Sequence, residues 1–332
     1  IEEKIRTEAG NLGFAEAGFA AIGPGQTLNR FQNWLSDGFA GQMDYLKRNI
    51  AMRANPEQLA PGTASIIVVA APYHSSREYH SFSNYARGKD YHTVLRTKLR
   101  QLSQKIQSMI HFPLTSRICI DSAPVLEREW AVRAGLGWIG KQGSLVHPEF
   151  GCCLFLGELF VNLKLQESIP FPNQCGECQL CTKACPTGAI QPNGMIDARR
   201  CISYLTTEYK GVIPESVRPL MGSSLFGCDR CTAVCPWNNS GNRNILPEFK
   251  EEDKILPSPE ECLLMNKENF VNRFRSTSVY RTGLERIQRN AVVALGNNGE
   301  KASLALLKEA SLQNRSSLVQ KHISWAIKQC NG

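Results

Sequence analysis

The sequence predicts an α/β domain over residues 1–165, a cysteine-organised module over 166–245 and a helical segment over 258–332. Three observations carry that division. In the first part, β-branched apolar runs alternate with amphipathic helical patterns. Eight of the thirteen cysteines lie between Cys175 and Cys235. Beyond residue 258, apolar residues recur at three- and four-residue spacing, the stripe of a half-buried helix.

Taken in order, "IEEKIRTEAGNLGF" reads as an amphipathic helix of mixed charge rather than a secretory signal. "FQNWLSDGFAGQMDYLKRN" reads as helical, broken near Gly38 and Gly41. Ser65 to Tyr73, "SIIVVAAPY", is β-branched and predicts a buried strand. Leu95, Leu99, Leu102, Ile106 and Met109 then mark a basic amphipathic helix. Arg117 to Asp121, "RICID", predicts another strand. "PVLEREWAVRAG" predicts a helix with Pro124 in its first turn and Gly135 just past its end. "CCLFLGELFVNL" predicts a third apolar strand or strand pair. Near the carboxyl end, Ile287, Ala291, Val292 and Leu295, then Leu304, Leu306 and Leu307, predict two helices around a Gly-Asn-Asn-Gly turn. Such a pair has the form of a HEAT-type helical hairpin, too short for an array and so leaning on the rest of the chain.

Composition narrows the class. The chain has 332 residues, 42 % hydrophobic and 20 % charged, as a globular protein does. No apolar run approaches the ~20 residues that span a bilayer. The net charge of +8 suits a polyanionic partner without requiring one.

Thirteen cysteines with no secretory signal point to metal or redox work rather than a disulfide scaffold. Cys175, Cys178, Cys181 and Cys185-Pro186 fit C-x2-C-x2-C-x3-C-P, the bacterial ferredoxin run, whose fourth cysteine ligates the other cluster. A second copy keeps Cys228, Cys231 and Cys235-Pro236, with Leu225 where its first cysteine belongs. The nearest spare thiol is Cys201, in "ARRCISYL". The expected sets are therefore Cys175, Cys178, Cys181 and Cys235 for one 4Fe–4S cluster, and Cys185, Cys201, Cys228 and Cys231 for the other. Structural zinc explains two Cys-x2-Cys pairs but neither the Cys-Pro endings nor the third cysteine in step. Cys119, Cys152, Cys153, Cys262 and Cys330 read as small buried hydrophobes.

The α/β part offers three features. "GLGWIG", Gly135 to Gly140, has the form of a dinucleotide loop but follows a helix, so it reads as a tight turn whose free amides beside Lys141 suit a polar cofactor edge. Asp121 ends the "RICID" strand, where either a reactive carboxyl or a turn cap fits. His92 and His147 stand alone in sequence and read as structural or solvent-facing.

Together, "ICIDSAPVLEREWAVRAGLGWIGKQGSLVHPEFG", "CGECQLCTKACPTGAI", "RRCISYLTTEYKG" and "GCDRCTAVCPWN" resemble the epoxyqueuosine reductase family over nearly the whole chain. The resemblance implies a cobalamin-dependent iron–sulfur enzyme of tRNA modification, mechanistically akin to reductive dehalogenases. Such an enzyme performs the last step of queuosine synthesis, reducing an epoxide at the wobble position to an alkene. It implies an amino-terminal cobalamin-binding domain, a ferredoxin-like two-cluster domain and the HEAT-like segment. The eight cysteines match one for one, and Asp121 matches the proposed proton donor, which requires a carboxyl raised by burial. The corrinoid motif Asp-x-His-x-x-Gly is absent, since "DYHTVL" has Leu95 at the glycine position. The implied cradle is base-off and involves Asp121, Gly140, Lys141 and Ser203.

Arg273, Arg275, Arg281, Arg286 and Arg289, interleaved with Phe270, Phe274 and Tyr280, suit phosphate contact and base stacking. Arg273, Arg275 and Arg281 are the expected tRNA contacts. The expected setting is a cytoplasmic monomer, off the membrane, fed by an external low-potential electron donor. Rival readings are a small-molecule corrinoid reductase, a bare electron carrier and a zinc-stabilised RNA-binding protein.

Overall fold

The computed structural model describes residues 1–73, 81–239, 246–250, 256–313 and 315–331. The expected boundaries at 245 and 332 lie outside the described residues.

The amino-terminal part is built on one four-stranded sheet. Its strands are β1 (Glu16–Ala21), β2 (Ser65–Pro72), β3 (Ser116–Cys119) and β6 (Leu154–Val161), in the order β1-β2-β6-β3. Every pairing is antiparallel. β2 and β6 are central, and all eight residues of β2 are buried, as its β-branched run predicts. "CCLFLGELFVNL" resolves into one strand, β6. β1 carries no sequence signal, because "EAGFAA" is small rather than β-branched. Its Gly18 is required by contact: a Cβ there would collide with the Ala134 carbonyl.

Helices cover both faces. α1 (Glu2–Asn11) and α4 (Tyr91–Met109) close one face, with Ile5, Leu95, Leu99, Leu102 and Ile106 in the core they share with Phe155 and Leu159. α5 (Glu127–Arg133) closes the other, with Trp130 and Ala131 against Val68, Cys119 and Phe160. α2 (Leu28–Ser36) and α3 (Ile50–Ala54) flank this side. Pro124 precedes α5 by three residues instead of opening it, and Gly135 at φ 73° ends the turn past it. "GLGWIG" is not a helix-opening loop. It enters a hairpin of β4 (Trp138–Ile139) and β5 (Leu145–Val146).

The cysteine module contains only short helices: α6 (Leu180–Ala184), α7 (Ile202–Thr207), α8 (Arg218–Met221) and α9 (Arg230–Ala233). The carboxyl-terminal segment comprises α10 (Pro259–Leu264), α11 (Lys267–Phe274), α12 (Leu284–Asn298), α13 (Lys301–Ser311) and α14 (Ser317–Asn331). α10 opens with a full capping box, Ser258 with Glu261. The Gly-Asn-Asn-Gly turn is shorter than expected: α12 runs through Asn298, and only Gly299, at φ 68°, turns the chain.

Packing crosses the sequence division. Ala198, Ile202, Leu205, Ile213, Met221 and Leu225 share one core with Ile287, Val292, Leu295 and Ile323. The stretch between Cys201 and Cys228 is thus a wall of the helical segment rather than of a separate module. Polar anchors fix it there. Fully buried Arg289 donates to the carbonyls of Leu205 (2.6 Å), Tyr209 (2.7 Å) and Gly211 (3.1 Å). Asn290 donates to Thr206 and Leu225, and Asn297 to Arg218 and Gly222. His322 accepts from the Ile213 amide at 3.1 Å. Arg286 and Arg289 therefore satisfy carbonyls inside the protein, and Phe270 and Phe274 are buried. These four are removed from the expected nucleic-acid surface.

Candidate active site

Asp121 follows β3 and sits at φ 49°, a left-handed conformation that Asp tolerates better than most side chains. Its amide donates to Glu127 at the start of α5, which pins the turn. Its side chain is 57 % exposed, so the carboxylate opens to solvent at the sheet end. Oδ2 lies 3.1 Å from Nε2 of His92, in the first turn of α4. The Tyr91 hydroxyl also bonds the carboxylate. His92 Nδ1 meets Oδ1 of Asp90, the helix cap, at 2.9 Å. Arg281 donates to Asp90 Oδ2 at 3.1 Å and lies 3.0 Å from His92 Nδ1. A chain Asp90–His92–Asp121 results, with a guanidinium at its far end.

This chain sets the charges. Burial pushes the Asp121 carboxyl up, but the hydrogen bond and charge of His92, then Tyr91 and Arg281, bring it below the usual range. His92 goes the other way: burial lowers it, and its bonds to Asp121 and Asp90 outweigh that and raise it. The expected upward shift of Asp121 is thus not found. The resting pair is a carboxylate beside a proton-bearing imidazole. The raised carboxyls are neighbours: burial and the Asp121 charge push Glu127 up to about 7, and burial holds Glu158 well above its ordinary value.

A second side of the opening comes from the cysteine module. Asp229, next to Cys228, accepts from the Ser83 hydroxyl and from the Asn84 amide at 2.7 Å. Ser83 donates to the Phe226 carbonyl at 2.8 Å, and Phe82 bridges Phe226. This stitching brings Asp229 and Asp121 within electrostatic reach of one phenol, Tyr85. Burial raises Tyr85, Tyr91 and Tyr45, the last to about 12. Burial keeps these three phenols neutral.

All eight clustered cysteines are free thiols and partly buried. Cys181 feels the charges of Cys175 and Cys235. Cys201 feels Cys228 and Cys185, and Cys231 feels Cys228, Cys201, Cys185 and, last, Cys181. Backbone amides face several sulfurs: Ala189 to Cys185 at 3.3 Å, and Ser203 and Tyr204 to Cys201. Cys235 is drawn down to about 7, chiefly by a bond from Cys152. Among the described residues no three His, Cys, Asp or Glu side chains converge on a single-ion site.

The other expected residues are differently occupied. The Gly140 amide donates to Ser144 at 2.9 Å inside the hairpin turn, so the expected free amide there is absent. Lys141 Nζ donates to the carbonyls of Gly176 (2.7 Å) and Cys178 (2.9 Å) and braces the first cysteine loop. The Ser203 carbonyl accepts from Thr207 at 2.8 Å. Arg275 is exposed at the end of α11, Arg273 is half-buried, and Arg281 belongs to the Asp90 chain. Cys119, Cys152, Cys153 and Cys262 are buried as expected, while Cys330 is only partly so. His147 is structural, bonded to Glu16. His92 is not: it is a partner of Asp121 that its isolation in sequence concealed. The available signal was Asp90 two residues before it, since the residue that caps α4 also holds its ring.

A sheet domain joined to a ferredoxin-type cysteine module defines a redox enzyme. The module, residues 174–238, matches the family model of a 4Fe-4S double cluster binding domain. Residues 53–122 match the family model described as Epoxyqueuosine reductase QueG, DUF1730. The chain is 37 % identical over 343 residues to the epoxyqueuosine reductase of Aliivibrio fischeri, covering 99 % of this chain and 91 % of that protein. It is 38 % identical over 341 residues to that of Escherichia coli K12, covering 99 % and 89 %. A crystal structure of epoxyqueuosine reductase with a tRNA-Tyr epoxyqueuosine-modified stem loop superposes with TM-score 0.92 at 29 % identity, over 100 % of this chain and 90 % of that one. The Streptococcus thermophilus enzyme gives 0.86 at 27 %, over 99 % and 90 %. The chain belongs to the epoxyqueuosine reductase family. It is an oxidoreductase with a 4Fe–4S-binding domain, and none of its described helices is long and apolar enough to cross a membrane.

Proposed function

We propose that this protein reduces epoxyqueuosine to queuosine at the wobble position of tRNA, using cobalamin and two 4Fe–4S clusters. The observation that carries it is the Asp90–His92–Asp121 chain, whose carboxylate and that of Asp229, next to Cys228, both act on the Tyr85 phenol.

The donor set fits both groups. The Cys-Pro endings and the third cysteine in step suit cubanes, whose four irons each take one thiolate, better than zinc ions. Neighbouring charges group Cys181 with Cys175 and Cys235, and Cys201 and Cys231 with Cys228 and Cys185; Cys178 joins the first set by its spacing. Cys228 adjoins Asp229, which binds Ser83 and Asn84 of the amino-terminal part. Asp121, the hairpin of Gly140 and Lys141 and the turn at Ser203 would hold the cobalamin. Cobalamin supplies a strongly reducing, nucleophilic metal centre when bound.

The chain's own residues supply protons and order. Opening an epoxide C–O bond to an alkene takes two electrons and two protons, and the oxygen leaves as water. His92 holds a proton against Asp121 Oδ2, and Asp121 presents it to the developing alkoxide. Asp90 and Arg281 fix the imidazole's orientation.

Arg273, Arg275 and Arg281 are proposed to face tRNA phosphates. Arg275 is exposed, and Arg281 ties that surface to the proton chain. The enzyme works as a cytoplasmic monomer with an external low-potential donor. The test is anaerobic turnover of epoxyqueuosine tRNA with reconstituted protein, cobalamin and a chemical reductant, with the nucleosides read by mass spectrometry. Queuosine formation dependent on both cofactors is expected. Its absence from cluster-replete, cobalamin-loaded protein would overturn the reading.

A further inference from the structure

The Asp121 turn has acidic company on its inner side that the proton chain just described does not use. Glu158 sits in mid-β6, 0 % exposed, and neither carboxyl oxygen has a hydrogen-bond partner. An unpaired carboxylate in such a place costs several kcal/mol, so the group is a neutral acid. Glu158 pairs in register with Cys119 of β3. Asp121 follows two residues beyond Cys119, past the end of the strand, where its left-handed turn carries it toward α5. α5 covers the face that Cys119 and Glu158 share, and Glu127, the first residue of α5, accepts the Asp121 amide. Glu158 also feels the charges of Glu127 and Asp121, so three carboxyl groups are neighbours: Glu158 sealed, Glu127 half-buried and Asp121 open.

We propose that Glu127, backed by Glu158, is the proton store that recharges Asp121 for the second of the two protons the reduction consumes.

This rests on the proposed reduction. The first proton leaves the His92–Asp121 pair for the opened oxygen. The second passes from Glu127 to Asp121 and on to that oxygen, which departs as water while the carbon–carbon double bond forms. The two electrons come from the external donor through the clusters. Solvent then refills Glu127 through its exposed side, while Glu158, sealed and without a partner, keeps its own proton. Two adjacent acids hold at most one charge between them, so Glu158 stays neutral when Glu127 gives its proton up.

The groups facing the pair are few. Asp121, Cys119 and Arg117 come from β3 and its end, His92 from α4, and Arg128 from α5 itself. Ala20, Val68 and Leu145 of β1, β2 and β5 lie in the apolar core on this face, and Glu16 of β1, in step with Ala20, is held by His147. Glu129 on α5 is turned away, held by Gln26, Thr27 and Arg133. The Asp121 charge and burial keep Glu127 protonated up to about 7, so the store fills below neutral pH and empties above it.

Two readouts test this. Infrared titration of the resting protein should show two neutral-carboxyl stretches. One persists across the titration and vanishes in Glu158→Gln. The other is lost with a midpoint near 7 and vanishes in Glu127→Gln. In anaerobic single turnover, the wild-type rate should fall about tenfold per pH unit above that midpoint. Glu127→Gln, whose amide oxygen still accepts from Asp121, should be slowed about 10- to 100-fold and lose the inflection. Missing stretches, or a Glu127→Gln profile that keeps the inflection, would overturn the store. If the wild type turns over no epoxyqueuosine, the proposed activity fails and the infrared titration alone decides the store. If Glu127→Gln does not fold, the wild-type infrared loss and the wild-type rate inflection must share one midpoint near 7, or the store is refuted.

Discussion

Replacing Asp121 by Asn isolates proton delivery from shape. The residue sits at φ 49°, where Asn is as comfortable as Asp, so the turn and its amide bond to Glu127 survive. Ala at the same position would add about 1 kcal/mol of backbone strain and blur the result. The amide oxygen can still accept from His92, now 3.1 Å from Oδ2, but it cannot take up and pass on a proton. Losing a positioned acid costs about two to four orders of magnitude, or about 3–5 kcal/mol on the barrier. The variant should therefore bind tRNA normally, retain both clusters and cobalamin, and turn over about 10²- to 10⁴-fold more slowly in single-turnover assays. A second reading comes from His92. With the anionic partner gone, one of the two bonds that raise its imidazole weakens, so its proton should be lost at lower pH in an NMR titration. A rate within a few-fold of wild type, with cobalamin content matched, would show that Asp121 only shapes the turn. An unmoved His92 would break the proposed coupling.

Cys201→Ala should halve the iron, from about eight to about four per chain, as Cys228→Ala does, read by iron analysis and EPR; retention of both clusters would refute the assignment of Cys201. Arg275→Ala should lower the salt slope of tRNA affinity by about one phosphate contact, and an unchanged slope would return Arg275 to plain solvent exposure. His322 is buried neutral, with burial pulling it down to about 4, so the unfolded chain gains its proton first as pH falls. Stability is therefore complete above about 6.5 and drops by about 3 kcal/mol on acidification to 4. Urea unfolding of wild type and His322→Gln should show that pH-dependent component only in the former.

What the sequence disclosed and what it hid follow from the range of the signals. β2 was legible because its apolar run is wholly buried, and α4 and α12 because the periodicity of their buried stripes is local. The eight cysteines were legible as a pattern because cluster ligation demands fixed spacing. β1 was hidden because its small residues are chosen by the close approach of Ala134, a contact across more than a hundred residues. The arginine run misled for the same reason. Nothing near Arg289 in sequence tells that Leu205, Tyr209 and Gly211 need a donor. His92 and Asp121 meet across 29 positions, so neither reveals the other. Glu158 did leave a local trace: a single acid inside the apolar run of β6 is out of place unless its proton stays on.

The polar anchors on α12 and α14 also bear on the order in which the protein can be made. Cys185, Cys201, Cys228 and Cys231 have all left the ribosome before Arg289, Asn290, Asn297 and His322 are synthesised. Until those residues arrive, the carbonyls and amide of Leu205, Thr206, Tyr209, Ile213 and Leu225 lack the partners that hold the 201–228 stretch in place. A nascent chain thus displays its thiols before it has the wall that spaces them. Iron loading at the Cys201 side waits for the carboxyl-terminal helices, and a message truncated before α12 yields a thiol-rich chain with no settled place for its second cluster.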